Sequence, residues 1–453
     1  MSRSLTIALF TALGAVAVHA TQNVTEEDFA LTVLTTGLEY PWEVTWGPDG
    51  HLWVTERTAK RVTRVNLVDG SQSIVATIPD AYQSVAQDGV LGLALHPRLS
   101  QSSNEDFVYV AYTYLDGVDS YLKVQRFSYD QGRRLLERPV DIITGLPAHD
   151  DHLGGRLAIG PDEKLYLTIG DQGSNWLQNY CNPNSAQDLP SVSDVDAGDW
   201  RSYQGKVLRF NLDGSIPADN PVLGGVRSHI FSYGHRNPQG LAFGVDGLLY
   251  ASEHGPSTDD ELNLVESGGN YGWPQVAGYQ DDQSYIYFNW SASRSVSCSE
   301  LMFSTSEVPA SVPRETESAW SHPDFRAPIQ TLFTVPSSWD FRAQGGATIA
   351  PSSLGIYAVR EDGIPGWADS LLVPGMIKGR MYRQQLSADG RSATGAPVEL
   401  FRTANRYRDL AINPDGRTIY IATDNAGRTT GRSGVMTDAL EHPGAIIQFR
   451  YED

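Results

Sequence analysis

Positive charge, cysteine and long apolar runs are all scarce in this sequence, and each scarcity closes off a class of function. Thirty-four Lys and Arg face 54 Asp and Glu, a formal net charge of -20. At long range such a surface repels phosphate backbones and anionic headgroups, so nucleic acid and membrane surfaces drop out as partners. The one notable apolar run, Leu5 to Val18, holds about 14 residues, short of the roughly 20 that span a bilayer. Arg3 before it and the small-x-small site Val18-His19-Ala20 after it read as a signal peptide over residues 1–20, cut before Thr21, rather than as an uncleaved anchor. The expected mature chain is exported, periplasmic or secreted, with no membrane span. In that oxidising setting Cys181 and Cys298 are able to pair, and the sequons Asn23-Val24-Thr25 and Asn289-Trp290-Ser291 matter only in a glycosylating host. Walker A, His-Glu-x-x-His and Gly-x-Ser-x-Gly signatures are missing, and so is any long stretch of 3.6-residue periodicity.

What the chain does contain is 43 Gly, 25 Pro and 45 aromatic residues (10 Trp, 21 Tyr, 14 Phe), the composition of a loop-rich protein with a full core. Six related stretches recur, each a short apolar strand, a turn rich in Pro, Asp or Gly, and a second strand of aromatic and β-branched residues. They begin at Val44, Leu93, Leu157, Leu241, Thr348 and Leu410. The fifth is the weakest, Thr348-Ile349-Ala350-Pro351 leading into Leu354-Gly355-Ile356-Tyr357. Strand, Asp-Gly turn and returning strand make a hairpin, and a hairpin with one apolar face needs neighbours. Six of them predict an all-β, six-bladed β-propeller as a single domain over residues 21–453. A β-sandwich would hold the same strands but leave the recurrent turn unexplained. Blades averaging about 70 residues exceed the roughly 40 to 50 of a lean blade. The surplus falls in residues 173–227 and 275–347, insertions expected to build one functional face.

Four polar clusters are candidates for chemistry. His149-Asp150-Asp151-His152 puts imidazoles beside carboxylates, the arrangement of a general base, although two solvated loop histidines would read the same way. Tyr233-Gly234-His235-Arg236-Asn237-Pro238-Gln239-Gly240 joins a guanidinium to two amides, suited to a planar, oxygen-rich ligand or else to a structural ion pair. In Asn405-Arg406-Tyr407-Arg408-Asp409 the two arginines share one face of an extended segment and need an anion, from a ligand or from an acidic blade residue. Glu253 to Glu261, followed by Asn270-Tyr271-Gly272-Trp273-Pro274 and Gly278-Tyr279-Gln280-Asp281-Asp282, offers hard oxygen donors for calcium in a spacing unlike an EF-hand; a solvated acidic loop is the alternative.

Together these clusters resemble a known family. Asp-His-x-x-Gly-Arg-Leu-x-Ile-Gly-Pro-Asp, Gly-Asp-Gln-Gly, Gly-His-Arg-Asn-Pro-Gln-Gly-Leu-Ala-Phe, Gly-Gly-Asn-Tyr-Gly-Trp-Pro and Asn-Arg-Tyr-Arg-Asp stand here in the order found in soluble dehydrogenases of glucose and other aldoses that depend on pyrroloquinoline quinone (PQQ), the glucose/sorbosone dehydrogenase family. The resemblance runs from about Leu38 to Tyr451. It implies a propeller that holds PQQ with Ca2+ and oxidises the C1 hydroxyl of aldoses to the lactone, with hydride transfer to PQQ and onward electron transfer to an external acceptor, a quinone or a redox protein. It also admits a homodimer. By motif, His152 would be the base and Arg236 would polarise the quinone carbonyl, while Asn237, Thr348, Lys378, Arg406 and Arg408 would hold the cofactor. Gln87, Asp151 and Gln172 match sugar-facing positions. Calcium at the cofactor resembles a site on Gly255 and Pro256, and a second site resembles one drawing on Glu261, Tyr271, Ala277, Tyr279 and Asp281. Two departures stand out. The family's aromatic pair before Thr-x-Ala-Pro is Ala343 and Gly346 here, which bears on sugar scope, and its cofactor-binding lysine aligns with Ile377, so that Lys378 would serve only through a one-residue shift. Rival readings from other classes are a non-catalytic exported glycan-binding propeller, which could lose His152, and a calcium-dependent six-bladed lactonase, which has no use for the Arg406 and Arg408 pair.

Overall fold

The computed structural model describes residues 24–84, 87–101 and 105–452. The signal peptide expected over residues 1–20 and the sequon at Asn23 lie outside them. Six four-stranded antiparallel sheets follow one another along the chain. Their innermost strands are Pro41–Trp46, Val90–Leu95, Gly154–Ile159, Pro238–Phe243, Gly355–Tyr357 and Tyr407–Ile412. Each packs on the next and the last packs on the first, so the ring closes as a six-bladed propeller. The chain ends close it a second time: Phe29–Thr35 pairs antiparallel with Ile446–Tyr451 as the outer strand of the sixth blade.

Burial follows position within the blade. The second strand of the first blade, His51–Glu56, is buried along almost its whole length round an apolar centre of Leu52, Trp53 and Val54, whereas the outermost strand, Gln72–Thr77, is mostly exposed. The recurrent turn has a local cause. The aspartate carboxylate accepts the amide two residues on, as in Asp49 to His51 (3.3 Å), Asp162 to Lys164 (3.2 Å), Asp246 to Leu248 (3.3 Å) and Asp415 to Arg417 (2.8 Å). The next position is left-handed, at φ 68° for Gly50 and 66° for Gly416, and glycine takes it without strain.

The fifth blade departs from the expected pattern. Gly355–Tyr357, read from sequence as a returning strand, is the innermost strand and pairs with Ser370–Gly375. Thr348 to Ala350 cannot supply the first strand, because Thr348 Oγ1 and the amides of Ile349 and Ala350 all donate to Asp260 Oδ2, at 2.6, 2.7 and 3.2 Å. The large insertions are residues 170–205 in the third blade and 266–329 in the fourth. A Cys181–Cys298 disulfide joins them, and so does Asn175, which donates to Phe288 O (2.7 Å) and accepts from the Trp290 amide (2.8 Å). Helices are limited to short pieces such as Val192–Ala197 and Phe341–Gln344, and among the described residues none is long and apolar enough to cross a membrane.

A single buried guanidinium sits at the centre of the ring. Arg156, from the third blade, reaches Glu43 of the first (2.7 Å), Asp409 of the sixth (3.1 Å), Gln239 O of the fourth (2.8 Å) and Ser352 O at the entry to the fifth (3.0 Å). Glu43 Oε2 also takes the Leu93 amide of the second blade at 3.4 Å, and Asp409 Oδ2 takes the Val44 amide at 2.6 Å. Burial raises the Glu43 carboxyl while the Arg156 charge pulls it back. Arg156→Ala strands two buried carboxylates and is expected to lower stability by about 3–5 kcal/mol, read as a lower urea midpoint at unchanged slope. An unchanged midpoint would show that the ring holds together without this contact.

Candidate active site

Each innermost strand is entered through a short polar turn, and rotation from blade to blade arranges those turns round one rim of the channel. His152 lies on the turn into Gly154–Ile159, buried and with a left-handed backbone at φ 44°. A Cβ on Gly170 would lie 1.9 Å from the His152 carbonyl oxygen, so only glycine opens the Gly-Asp-Gln-Gly segment. Asp171 follows it, fully buried. Its Oδ1 meets His152 Nδ1 (2.7 Å) and the Gly173 amide (2.9 Å), and its Oδ2 accepts from Trp273 Nε1 (2.7 Å) and Asn184 Nδ2 (2.9 Å). A carboxylate so surrounded by donors accepts a hydrogen bond from Nδ1–H, which assigns the tautomer and leaves a lone pair on Nε2. Asp151 Oδ1 is 3.9 Å from Nε2 and accepts from Gln87 Nε2 at 2.7 Å. Gln172 donates to Gly170 O (2.9 Å), and its buried Oε1 has no partner among the described residues.

Arg236 and Asn237 occupy the turn into the fourth blade's Pro238–Phe243. Their amides both donate to Glu253 Oε1, and Glu253 Oε2 meets the His235 ring at 2.9 Å. The buried Arg236 guanidinium lies over Trp273, 5.3 Å from its ring centre, and donates to His254 O at 3.2 Å. Its Nε and His254 Nε2 are buried without a hydrogen bond among the described residues. Burial and the charges of Arg236, His152 and Arg408 hold the His254 ring well below its ordinary range, so it stays neutral.

Arg406 and Arg408 line a cavity of about 120 Å³ together with Arg57, Gln87, Asn237, His254 and Met376. Asp424 grips Arg408 through both carboxylate oxygens, at 3.0 and 2.8 Å, and touches Arg406 at 3.4 Å. Burial raises the Asp424 carboxyl, but the Arg408, Arg406 and Arg57 charges outweigh it and hold it below its usual value. The arginine pair thus has an acidic blade residue, yet two cations share one carboxylate, and a positive charge is left facing the cavity.

Two of the expected cofactor contacts stand apart from that cavity. The Thr348 hydroxyl is committed to Asp260, which also takes the Gly255 amide at 2.9 Å and so ties Thr348 to the Gly255-Pro256 turn. Lys378 Nζ lies over the Phe333 ring at 5.6 Å from its centre, while Met376, two residues earlier, lines the cavity. In the acidic segment, Glu261 Oε1 accepts from the Gly278 amide at 2.6 Å, and Glu317 accepts from the amides of Ala277 (3.0 Å) and Asp282 (2.9 Å). Tyr271 stacks on His235 at 4.5 Å between ring centres, Tyr279 is partly exposed, and Asp281 accepts from the Gln283 amide at 2.9 Å. Burial pushes Asp259 up to about 6 and Glu317 up to about 8, and holds Glu261 well above the usual carboxyl range; Asp259 and Asp281 add repulsion at Glu317. Among the described residues no three acidic or histidine side chains converge closely enough to grip a metal by themselves.

Asp171, Asp424, Glu317 and Arg57 carried no role in the sequence reading, and Glu253 entered it only within the acidic segment offered to calcium. A signal for three of them was available. Asp171, Glu253 and Asp424 all stand at the end of a blade's second strand, so aligning the repeats at that strand's end would have shown a carboxylate recurring opposite each candidate cation.

The family model described as Glucose / Sorbosone dehydrogenase matches residues 38–320 and 338–431. The chain is 41% identical over 441 residues to quinoprotein glucose dehydrogenase B of Acinetobacter calcoaceticus, covering 94% of this chain and 92% of that one. It is 26% identical to aldose sugar dehydrogenase YliI of Escherichia coli, over 87% and 90% of the two chains. The PQQ-bound aldose sugar dehydrogenase of Streptomyces coelicolor superposes with a TM-score of 0.64 at 26% identity, covering 93% of this chain and 98% of that one.

Asp424→Ala leaves Arg406 and Arg408 repelling each other with their anion gone. The expected outcome is a loss of about 3–5 kcal/mol in thermal or urea unfolding, partly recovered by an added polycarboxylate. Unchanged stability, or no response to the anion, would count against an anion-seeking cavity.

Proposed function

The chain belongs to the glucose/sorbosone dehydrogenase family and is a quinoprotein sugar dehydrogenase, and from that premise we propose that it oxidises the C1 hydroxyl of aldoses to the lactone and passes the electrons to an external acceptor. One observation carries this reading: His152 has Nδ1 held by Asp171 and Nε2 unengaged, beside the Asp151 and Gln87 pair and across from the arginine-lined cavity.

The residues fit PQQ by their chemistry. A cavity with surplus positive charge, the amide of Asn237 and the unpaired donor at Arg236 Nε suit a planar quinone bearing carboxylates. When bound, PQQ supplies the two-electron acceptor. Arg406, Arg408 and Asn237 would hold it, with Thr348 acting through Asp260. His152 takes the C1 hydroxyl proton at Nε2, and Asp171 stabilises the imidazolium that results. Arg236 presents a fixed positive charge where negative charge develops. Gln87, Asp151 and Gln172 orient the sugar hydroxyls. The lactonase reading leaves the surplus positive charge unused, and the non-catalytic reading leaves the His152 and Asp171 pair unused.

Calcium is part of the proposal. The Gly255 and Pro256 carbonyls would bind one ion beside the cofactor. Glu261, Tyr271, Ala277, Tyr279 and Asp281 would contribute to a second. Support comes from Asp259, a buried carboxyl whose charge adds repulsion at both Glu261 and Glu317, and whose Oδ2 is buried without a partner among the described residues. Export is supported by the Cys181–Cys298 bond, which belongs to an oxidising compartment.

His152→Ala is expected to keep PQQ binding and lose about two to four orders of magnitude in turnover. Arg408→Ala is expected to weaken PQQ binding about ten- to hundredfold, with activity largely restored at saturating PQQ. Full turnover in the first variant, or unchanged PQQ affinity in the second, would overturn the assigned roles. Chelation should abolish PQQ binding and lower the melting temperature. Chelated protein that binds PQQ normally and melts unchanged would reduce the acidic segment to a solvated loop.

A further inference from the structure

Lys206 opens the third strand of the third blade and is fully buried. The buried cations Arg156, Arg209 and Lys123 each have a carboxylate partner. Lys206 has no such ion pair among the described residues. Its ammonium donates instead to the backbone carbonyls of Ser185, Ala186 and Gln204, at 3.0, 2.9 and 2.6 Å. Burial pulls the group down to about 7, and the Asp188 charge opposes the fall. Each carbonyl takes one proton, so only the ammonium fills all of them, and a neutral amine would leave one unbonded. Those bonds are what offset the cost of burying a charge that has no counter-ion.

The three carbonyls belong to the insertion of the third blade. Ser185 and Ala186 lie within it and Gln204 at its end, so one side chain ties two stretches of it together. Close approach is built in: a Cβ on Gly205 would lie 2.6 Å from Ala186 Cβ and 2.5 Å from His235 O. From the tied segment two side chains reach toward the site. Asn184 Oδ1 accepts the Ala186 amide at 3.0 Å, and its Nδ2 donates to Asp171 Oδ2 at 2.9 Å. Gln187 donates to Trp273 O at 2.8 Å, and Trp273 Nε1 is the other donor to Asp171 Oδ2, at 2.7 Å. Both bonds to that oxygen therefore depend on residues 184–187, while Oδ1 of the same carboxylate meets His152 Nδ1.

We propose that Lys206 is a positioning residue for sugar oxidation: its ammonium clamps residues 184–187, so that Asn184 and Trp273 hold the Asp171 carboxylate in place against His152. The proposal rests on the reading of His152 as the base. Lys206 touches neither sugar nor cofactor, and its effect reaches the imidazole only through the orientation of Asp171.

The test uses the full chain, with and without PQQ and calcium. In PQQ-free protein the His152 Nδ1–H held by Asp171 gives a far-downfield proton resonance, identified by its absence from His152→Ala. Lys206→Met keeps the length of the side chain without its charge. It is expected to lose that resonance and to lower kcat for glucose about ten- to hundredfold, with PQQ affinity unchanged. In Lys206→Ala, propylammonium replaces the atoms removed and should restore both resonance and turnover, whereas n-propanol should restore neither. Asn184→Ala leaves the clamp in place and should lose the same resonance, and adding Lys206→Met to it should cost little more in kcat than either change alone. A lower melting temperature in Lys206→Met with resonance and kcat intact would make Lys206 a structural residue only and overturn the proposal. Rescue by n-propanol as complete as by propylammonium would show that the side chain only fills space, and would also overturn it. Where neither Lys206 variant folds, an unaltered resonance in Asn184→Ala overturns the route through Asp171. Failure of the unaltered protein to oxidise any sugar would instead remove the reading of His152 on which the proposal rests.

Discussion

The contact on which the molecule depends is the one that Arg156 makes at the centre of the ring. A propeller has no continuous core, because each blade packs only on its two neighbours. The gap at the axis must be filled by groups that several blades share. Here one guanidinium is bound by strands or strand entries of the first, fourth, fifth and sixth blades, and Glu43 extends the network to the second. Buried charges of this kind add little net stability compared with well-packed apolar groups. Their geometry is demanding, though, and a ring of any other spacing would leave them unpaired. The same network fixes how far apart the strand entries lie on the rim above, and therefore how far His152 stands from Arg236 and from Arg406.

On that rim one device is used repeatedly. At the end of a second strand a buried carboxylate faces back toward the turn that opens its own blade. Asp171 holds the His152 ring, Glu253 holds the backbone that carries Arg236 and Asn237, and Asp424 holds the Arg406 and Arg408 pair. Each functional group is thus positioned within its blade before any ligand arrives. Each acceptor is itself bound by several donors, which offset the cost of burying it.

Much of the fold was legible because the Pro-Asp-Gly turn has a local cause: the aspartate bonds the amide two residues on wherever it occurs. The fifth blade was misread because its inner hairpin lacks that turn, and the apolar stretch before it is captured by Asp260, a partner almost ninety residues away in sequence. His152, Arg236, Asn237, Arg406 and Arg408 could be singled out because basic and amide groups cluster at strand entries. Their acidic partners were passed over, since a lone Asp or Glu after an apolar strand looks like any other turn residue unless the repeats are aligned at the end of the second strand. Lys378 shows the limit from the other side: it sits in the turn between Ser370–Gly375 and Arg380–Leu386, where no strand periodicity fixes which way a side chain faces, and it is found over Phe333.

What remains central is that the rim is built round a redox cofactor and not round a hydrolytic water or a bare glycan. The most direct measurement is the visible and near-ultraviolet absorbance of the protein reconstituted with PQQ and calcium, recorded before and after an aldose is added without any acceptor. The account predicts that the quinone band is replaced by that of the reduced form, at one equivalent of sugar oxidised per bound PQQ. Sugar oxidation that proceeds equally without PQQ, or a band that an aldose leaves unchanged, would contradict it.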